Sequence, residues 1–349
     1  MKTFIMDENG HVVGETHDIT HCLITGGAGF IASHIIDHIL RTTNWKITVL
    51  DKFTYAANGL TRLKEIGAYD NPRVRLHVAD VARPLGVCLE QEIGPVDYVL
   101  HMSAGTHVDK SIACPRDFVE ANIFGSLEML EYSRRIPELK KFIYFSTDEV
   151  FGPAEVGQKF EEWDRYNSCN PYSATKAAGE ELALAWANTY NVPVVITHTM
   201  NVIGERQHPE KFLPRIVKSV LQGTELQIHT DPKTGLPGSR NYLHCRDVAS
   251  AIMFLLENPF KLRDKYNIAG DREVCNLEVA QKVADIIGKP LKYVKVNPTE
   301  IRPGFDVRYG LSGEKLKKMG WVLEYTFEEN LKHTVEWMIK SENLHWLKI

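Results

Sequence analysis

The chain has 349 residues, of which 44% are hydrophobic, so it can form one large domain with a smaller unit attached. Its formal net charge is -4 and it has no long basic run, which excludes nucleic acid and anionic membranes as expected partners. Six scattered cysteines, a polar segment from Met1 to Thr20 without a signal-peptide core, and no apolar run of about 20 residues predict a cytoplasmic protein.

Predicted strands and helices alternate through the first part of the chain. Apolar runs predict strands at 22–25, 46–50, 74–78, 96–100, 141–145 and 194–197, and helical spacing predicts helices at 30–40, 118–132 and 172–190. This alternation indicates an α/β fold with a doubly wound, Rossmann-type parallel sheet. Prolines and glycines break the regularity after Met200. We therefore expect an extension over 1–20, a first domain over 21–200, and a smaller mixed α/β portion over 201–349, from which some segments can return to the first domain.

A glycine-rich turn follows the first predicted strand. The run TGGAGFIA, from Thr25 to Ala32, fits G-x-x-G-x-x-G with alanine in the third glycine place. The amides that open the next helix can face a pyrophosphate there, and a Cβ at Gly26 or Gly29 would obstruct it. Asp51 ends the second strand, where a carboxylate binds ribose hydroxyls and repels a 2′-phosphate. The pattern predicts NAD rather than NADP; the alternative is an ordinary strand–turn–helix.

Two further patterns have a plain structural alternative. Asp80 and Val81 follow the third predicted strand, where they can contact an adenine, or form an ordinary acidic loop. His34 to His38 (HIIDH) is superficially similar to a metal motif of the H-x-x-E-H type, but the acid differs. Because it lies on the helix behind the glycine turn, we interpret it as a partly exposed helix face and predict no metal.

Tyr172 and Lys176 lie four residues apart on one predicted helix, so their side chains share a face. A lysine ammonium near a phenol lowers the pKa of the phenol, and the tyrosinate could take a proton from a hydroxyl while hydride leaves the same carbon. The alternative is an exposed helical pair. The position after five strands and a dinucleotide turn favours the catalytic interpretation.

Two adjacent carboxylates, Asp148 and Glu149, follow the predicted strand at 141–145. Residues at the carboxyl ends of parallel strands face the ligand crevice. Neighbouring carboxyl groups in different surroundings can act as a proton donor and a proton acceptor. The alternative is a solvated acidic turn, but the preceding Ser146-Thr147 and the later tyrosine–lysine pair favour a catalytic role.

These motifs resemble the extended short-chain dehydrogenase/reductase family, and within it the nucleotide-sugar 4,6-dehydratases that act on dTDP-glucose or UDP-glucose. The resemblance extends from about Cys22 to Trp337. The acid pair after Ser-Thr separates the dehydratases from related epimerases and decarboxylases. The motifs that carry it are TGGAGFIASH (25–34), LDKFTY (50–55), THVDKS (106–111), STDEVFG (146–152), PYSATKA (171–177), PEK (209–211), YNI (266–268) and RPG (302–304).

The resemblance implies a reaction on one sugar ring in which oxidation, loss of water and reduction follow each other. Thr147 would bind the 4-hydroxyl, and Tyr172 would remove its proton while hydride passes from C4 to NAD. Lys176 would hold the nicotinamide ribose, Glu149 would take the C5 proton, and Asp148 would protonate the leaving C6 hydroxyl. The hydride then returns to C6, which gives a 4-keto-6-deoxy sugar nucleotide and no net redox change.

The resemblance also implies binding residues and a partner. We expect a homodimer formed through the helices at 118–132 and 172–190, and a nucleotide-diphosphate sugar as substrate. The expected cofactor contacts are Gly26, Gly29, Phe30, Ile31, Asp51, Lys52, Thr54, Asp80, Val81, Tyr172 and Lys176. The expected substrate contacts are Thr106, Asn201, Lys211, Arg240, Asn267 and Arg302.

Several positions depart from the family pattern without removing a chemical role. Gly105 stands where Glu or Gln is usual, Val202 where a second Asn is common, and Phe305 where many members have His or Asn. These departures leave the nucleobase and the hexose open. They also leave two alternative functions: another enzyme of the family, namely a 4-epimerase or a dehydratase of different regiochemistry, and a non-catalytic sugar-nucleotide-binding homologue.

Overall fold

The computed structural model describes residues 3–6, 12–16, 19–259, 263–297 and 308–349. The strands are β1 Thr3–Met6, β2 Val12–Thr16, β3 His21–Thr25, β4 Lys46–Asp51, β5 Val74–Val78, β6 Tyr98–His101, β7 Lys141–Thr147, β8 Val194–Thr199, β9 Val202–Ile203, β10 Leu226–His229, β11 Ser239–Asn241, β12 Leu243–His244, β13 Asp264–Ile268, β14 Glu273–Cys275 and β15 Tyr293–Val296. The α-helices are α1 Phe30–Thr42, α2 Thr61–Glu65, α3 Val87–Ile93, α4 Val108–Ala113, α5 Pro115–Val119, α6 Gly125–Ser133, α7 Pro171–Tyr190, α8 Phe212–Gln222, α9 Cys245–Glu257, α10 Asn276–Ile287, α11 Glu314–Lys318 and α12 Phe327–Met338. Shorter turns are the 3₁₀ helices Tyr55–Ala57, Asp148–Phe151 and Ser341–Leu347, and the π-helical turn Glu120–Phe124.

A seven-stranded parallel sheet forms the centre of the protein, in the order β13-β8-β7-β6-β3-β4-β5. The predicted doubly wound parallel sheet is confirmed. From β3 the chain first builds outward through β4 and β5, then crosses to β6 on the other side. This reversal opens a crevice at the carboxyl ends of β3 and β6, where ligands bind in such sheets.

Helices cover both faces of the sheet because its strands are apolar on both sides. On one face α1 packs against α9, with Ile35, Ile36 and Ile252 in the core. On the other face α6 and α7 enclose a second core that includes Met129 and Ala183. Each helix presents its apolar stripe to the sheet.

Two parts of the sequence fold differently from the prediction. The helix predicted at 118–132 is divided into α5, the π-helical turn and α6. The turn carries Asn122, whose side chain is hydrogen-bonded to the backbone of Gly105 on another loop. The seventh strand, β13, was not predicted; it pairs in parallel with β8 although it lies far beyond residue 201.

Most of the chain after Met200 forms a smaller mixed α/β portion. Three two-stranded pairs, β9 with β12, β10 with β15 and β11 with β14, accompany α8, α10 and α12 around their own apolar core. At the other end of the chain β1 and β2 form an antiparallel pair. Among the described residues, none of the helices is long and apolar enough to cross a membrane.

Candidate active site

The glycine-rich turn lies between β3 and α1, at the crevice. Gly26 has a φ of +68°, and a Cβ there would lie 2.9 Å from the backbone of Ser103, just beyond β6. A Cβ on Gly29 would lie 2.9 Å from the carbonyl oxygen of Gly26. Gly29 is the N-cap residue of α1, and it makes no side-chain hydrogen bond to the amides of the first helical turn. This narrow backbone cradle at a helix N-terminus fits the pyrophosphate of a dinucleotide such as NAD.

Asp51, at the end of β4, is fixed by two backbone amides. Its carboxylate accepts hydrogen bonds from Ala28 N at 3.0 Å and Phe53 N at 2.7 Å. Burial raises the pKa of this carboxyl, and the two amides oppose that shift. Each oxygen keeps a further lone pair, so the fixed carboxylate can still accept a ribose hydroxyl.

The other predicted cofactor residues lie near the same edge of the sheet, at the carboxyl ends of its strands. Lys52 Nζ and Asp80 Oδ2 are 3.2 Å apart, each following one of the neighbouring strands β4 and β5. Val81 is buried next to this pair. The remaining three are the half-buried Phe30 and Ile31, which open α1, and the exposed Thr54.

The predicted acids lie in the turn that follows β7. The Thr147 hydroxyl donates to Asp148 Oδ1 at 3.0 Å and accepts from Glu149 N at 3.3 Å, so it caps the turn and orients Asp148. Asp148 is buried, whereas Glu149 is half-buried and accepts from Asn170 Nδ2 at 3.2 Å. The two adjacent carboxyl groups therefore have different surroundings, as expected of a proton donor beside a proton acceptor.

Burial, and after it the neighbouring Glu149, raise the pKa of Asp148 to about 7. Arg240 and the Thr147 hydroxyl act in the opposite direction. Asp148 Oδ2 is buried and has no hydrogen-bond partner among the described residues. A protonated Asp148 can therefore offer this atom to a ligand in the crevice.

We expect Asp148→Asn to stabilise the folded protein at alkaline pH. The wild-type carboxyl keeps its proton up to a pH of about 7 when folded but loses it near 3.8 when unfolded, so wild-type stability falls as pH rises between these values. Asparagine does not ionise, and the variant should gain on the order of 4 kcal/mol over wild type by about pH 8. Urea unfolding of both proteins across this range measures the difference; a gap that does not grow with pH would contradict the assignment.

Tyr172, at the start of α7, is buried beside Thr147 and the two acids. Burial raises the pKa of its phenol, Glu149 raises it further, and a hydrogen bond with Thr147 lowers it. The predicted lowering by Lys176 is wrong for this arrangement. Lys176 Nζ lies 4.3 Å from the ring centroid of Tyr144, and burial lowers the pKa of the ammonium to about 7, so its charge does little for the phenol.

Among the predicted substrate residues that the structure describes, Arg240 affects the pKa of Asp148. It lies on β11, its guanidinium carbon is 4.4 Å from the ring centroid of Tyr309, and its charge lowers the pKa of Asp148. Lys211 is the N-cap of α8. The remaining two described candidates on loops are the exposed Thr106 and Asn201.

Asn267 lies elsewhere than predicted. It is fully buried on β13, where its Nδ2 donates to Phe160 O at 3.0 Å and its Oδ1 lies 2.9 Å from His198 Nδ1. Both ends of the amide are occupied inside the protein, so a direct substrate contact does not fit this arrangement. Arg302 and Phe305 lie outside the described residues.

Gly105 is held tightly beside Tyr172. Asn122 accepts from Gly105 N at 2.8 Å and donates to Gly105 O at 3.2 Å. A Cβ on Gly105 would lie 3.0 Å from the ring of Phe118, and that ring packs edge-on against Tyr172 at 6.4 Å between centroids. Because Gly105 has no side chain, the Phe118 ring has room to pack against the Tyr172 phenol, and we call this ring the aromatic wall.

Two asparagines of the site were missed in the sequence. Asn170 caps α7 and also binds Glu149; its position directly before Pro171 is a helix-start signal that could have identified it. Asn122 connects Gly105 to Thr175, through a 2.9 Å bond from its Nδ2 to the threonine hydroxyl. No sequence pattern indicates this role, because it depends on the π-helical turn.

A separate buried cluster of His34, Glu205 and Cys245 lies where α1 meets α9. His34 Nε2 is 3.0 Å from the carbonyl oxygen of Glu205, and the Glu205 carboxylate is paired with Arg246 and with His244 Nε2 at 3.4 Å. These contacts account for the cluster, because they join Glu205, on the loop after β9, to His34 of α1 by a hydrogen bond and to Arg246 of α9 by an ion pair. The absence of a metal stays a prediction.

Comparisons with known proteins agree with this arrangement. The dTDP-glucose 4,6-dehydratase of Haemophilus influenzae is 36% identical over 338 residues, which cover 91% of this chain and 97% of that protein. A trifunctional UDP-glucose 4,6-dehydratase/UDP-4-keto-6-deoxy-D-glucose 3,5-epimerase/UDP-4-keto-L-rhamnose-reductase of Arabidopsis thaliana is 36% identical over 341 residues, 95% of this chain. The chain spans about half the length of this plant relative, 49%.

The fold has a similar counterpart among solved structures. The crystal structure of dTDP-glucose 4,6-dehydratase from Streptomyces venezuelae, with NAD and TYD bound, matches with a TM-score of 0.83 and 31% identity. The match covers 94% of this chain and 98% of that one. The model of the NAD dependent epimerase/dehydratase family matches residues 22–269. With the motifs, the fold and the relatives in agreement, the chain belongs to the NAD dependent epimerase/dehydratase family.

Proposed function

We propose that the protein is a nucleotide-sugar 4,6-dehydratase that converts a dTDP- or UDP-hexose to the 4-keto-6-deoxy product. The observation that carries the proposal is the acid pair. Asp148 is buried with a raised pKa and Glu149 is less buried, and both lie beside the Tyr172 phenol. Elimination of water needs one group to accept a proton and another to donate one, and this pair is suited to both tasks.

Tyr172 and Thr147 act on the 4-hydroxyl of the sugar. Thr147 binds the hydroxyl, and Tyr172 accepts its proton. The raised pKa of the phenol makes the tyrosinate unfavourable unless a cation lies nearby. Lys176 must therefore be protonated and close to Tyr172 when the tyrosine accepts the proton. We infer that Lys176 turns from the Tyr144 ring toward the crevice in the loaded enzyme.

Glu149 and Asp148 divide the elimination between them. Glu149, half-buried and held by Asn170, accepts the C5 proton. Asp148, whose pKa of about 7 keeps much of it protonated near neutrality, donates to the leaving C6 oxygen through the atom that has no other described partner. Arg240 limits the rise of the Asp148 pKa and also offers a cation to the diphosphate.

The cofactor proposed for the crevice is NAD, which when bound supplies a hydride acceptor at C4 and returns the hydride at C6. The cradle of Gly26 and Gly29 would hold its pyrophosphate, and Asp51 its ribose. Lys52, Thr54, Asp80 and Val81 would lie along the adenosine half. Tyr172 and Lys176 would adjoin the nicotinamide half, with Phe30 and Ile31 at the helix start. We propose residues 21–200 as the main cofactor-binding unit, completed by β13.

The substrate would lie between this unit and the portion after residue 201. Thr106, Asn201, Lys211 and Arg240 are proposed to bind the nucleotide and its diphosphate. Arg302 is added on the sequence motif alone. Asn267 is assigned a positioning role instead, because its amide is occupied inside the protein.

Incubation with a panel of dTDP-, UDP-, GDP- and CDP-hexoses, read by mass, tests the proposal. We expect loss of one water from a dTDP- or UDP-hexose and retention of NAD by the protein. Proton NMR of the product gives the position of the change: unchanged mass with an inverted C4 would favour a 4-epimerase, and loss of water elsewhere on the ring would favour different regiochemistry. Binding of sugar nucleotide without turnover would favour a non-catalytic homologue.

Gly105→Ala should lower kcat in this reaction by up to about tenfold. The new methyl group presses on the Phe118 ring and through it on Tyr172, and small displacements of reacting groups are costly. Phe118→Leu in the same chain should recover part of the loss. Gly86→Ala, where a Cβ meets nothing within 4 Å, serves as the control. A wild-type kcat in Gly105→Ala would contradict the role of the aromatic wall.

A homodimer in the cytoplasm is also proposed. Exposed apolar side chains lie on the helices expected at the interface, including Val119, Phe124 and Tyr190. All six cysteines are among the described residues and none forms a disulfide, and Cys88, Cys114 and Cys169 are exposed, which suits a reducing compartment. Light scattering of the purified protein at micromolar concentration tests the dimer.

A further inference from the structure

A fully buried pair of side chains, a glutamate and a histidine, lies directly behind the acid pair. Glu180, on α7, and His198, on β8, are both 0% exposed. Glu180 Oε2 and His198 Nε2 are 3.0 Å apart. Burying a carboxylate is costly unless its partners compensate for the lost water, so the contacts of the pair reveal what it maintains.

Glu180 is bound by four groups from different elements. One oxygen accepts from the hydroxyl of Ser146, on β7. The other accepts from the hydroxyl of Tyr166 and from His198, and it lies 3.7 Å from Lys265 Nζ on β13. The carboxylate thus connects α7 to three neighbouring strands of the sheet.

His198 has an acceptor at each ring nitrogen. Nε2 faces the Glu180 carboxylate, and Nδ1 lies 2.9 Å from Asn267 Oδ1. The orientation of the Asn267 amide follows from its other end, because Nδ2 donates to the carbonyl oxygen of Phe160 at 3.0 Å. A neutral imidazole can donate from only one nitrogen. Hydrogen bonds to both acceptors at once therefore need a proton on each ring nitrogen.

The contacts of the pair lie at one register position of the sheet, just before the turn Asp148–Phe151 that carries the acid pair. In strand register Ser146 faces His198, and His198 faces Asn267. The next residue of β7 is Thr147, which orients Asp148. Glu180 also lies one helical turn after Lys176 on α7, so its side chain is on the face of the helix that carries the lysine.

We propose that Glu180 and His198 are a charged positioning pair, in which an imidazolium and a carboxylate together fix the end of β7 and hold the charge of Lys176. Neither is a catalytic residue, because neither touches the crevice. Burial lowers the pKa of Lys176, and Glu180 is the group that opposes this shift. Other described groups facing Lys176 are the ring of Tyr144 on β7 and His101 on β6. Tyr172 lies one turn before Lys176 on the same helix. The part of the proposal that concerns Lys176 rests on the proposed function.

The protonation of His198 can be measured without any substrate. Nitrogen NMR of the full chain labelled with ¹⁵N-histidine, compared with the same spectrum of His198→Gln, identifies the two ring nitrogens that belong to His198. We expect both to carry protons at neutral pH. A single neutral tautomer would overturn the proposal, whether or not the protein proves to be a dehydratase.

Kinetic measurements on variants distinguish a pair that positions the site by its charge from a pair that only fills space. Glu180→Gln leaves both His198 and Lys265 without their buried carboxylate, whereas His198→Gln leaves Glu180 with Lys265, 3.7 Å away, as its remaining cation. Each variant should lower the unfolding temperature and kcat, with KM nearly unchanged. The double variant Glu180→Gln/His198→Gln replaces the pair by two amides that can bond to each other. It should unfold at a higher temperature than Glu180→Gln alone, although Lys265 still lacks its carboxylate.

The double variant should not recover kcat, because Lys176 still lacks the carboxylate that favours its charged form. The alkaline limb of its kcat–pH profile should lie at lower pH than in wild type, since the lysine loses its proton more easily. A double variant with wild-type kcat and pH profile would overturn the proposal. If wild type itself has no dehydratase activity, the proposed function fails, while the NMR result still decides the charge of His198.

Discussion

Glu149→Gln is expected to abolish the exchange of the C5 proton with solvent and to lower turnover about 10²- to 10⁴-fold. The amide keeps the shape of the side chain and its contact with Asn170 but cannot accept a proton from carbon. Oxidation at C4 does not need Glu149, so the variant should accumulate the 4-keto sugar together with the near-ultraviolet absorbance of reduced nicotinamide. Mass spectrometry in deuterated water measures the exchange.

The matched control is Glu161→Gln, because Glu161 is an exposed glutamate a short distance further along the chain. It should keep wild-type exchange and turnover. Wild-type exchange in Glu149→Gln would exclude Glu149 as the proton acceptor and leave Asp148 as the group to test next.

Tyr172→Phe is expected to lose turnover by a similar factor, about 10²- to 10⁴-fold, but at an earlier step. Without the hydroxyl nothing in the site accepts the proton of the 4-hydroxyl, so neither the reduced-nicotinamide absorbance nor the C5 exchange should appear. The phenylalanine ring keeps the packing against Phe118, and the fold should remain intact. Rapid-mixing absorbance with the active substrate from the panel measures the first step.

Tyr190→Phe, on the same helix but 46% exposed, is the control for this change. The two active-site variants thus give opposite absorbance results, since one stops before oxidation and the other after it. Accumulation of the reduced-nicotinamide absorbance in Tyr172→Phe would show that another group accepts the hydroxyl proton.

The parts of the fold that local sequence determines could be predicted. The runs at 22–25, 46–50 and 141–145 are apolar because both faces of each strand are covered, and they form β3, β4 and β7. The glycine turn could be located because Gly26 and Gly29 lack the room for a Cβ. The acid pair could be placed at the crevice because the strand before it ends there.

The remaining features depend on contacts between distant residues. Nothing near Asn267 in sequence indicates that its amide would orient a histidine on the neighbouring strand. Asn122, in the π-helical turn, is hydrogen-bonded to Gly105, which lies on another loop. The pKa of Tyr172 was predicted in the wrong direction because helical spacing places Lys176 on the same face but does not show which ring its ammonium contacts.

Because β13 comes from the chain after residue 201 but pairs with β8, neither portion of the protein can simply be exchanged or expressed alone. Residues 195–199 of β8 pair with residues 264–268, so a fragment ending at 200 would expose the backbone groups along one side of a wholly buried strand. Such a bare edge recruits other chains, and we expect the fragment to aggregate. A chimera that takes its sugar specificity from a relative must therefore carry β13 with the cofactor half, as a discontinuous graft rather than a single cut.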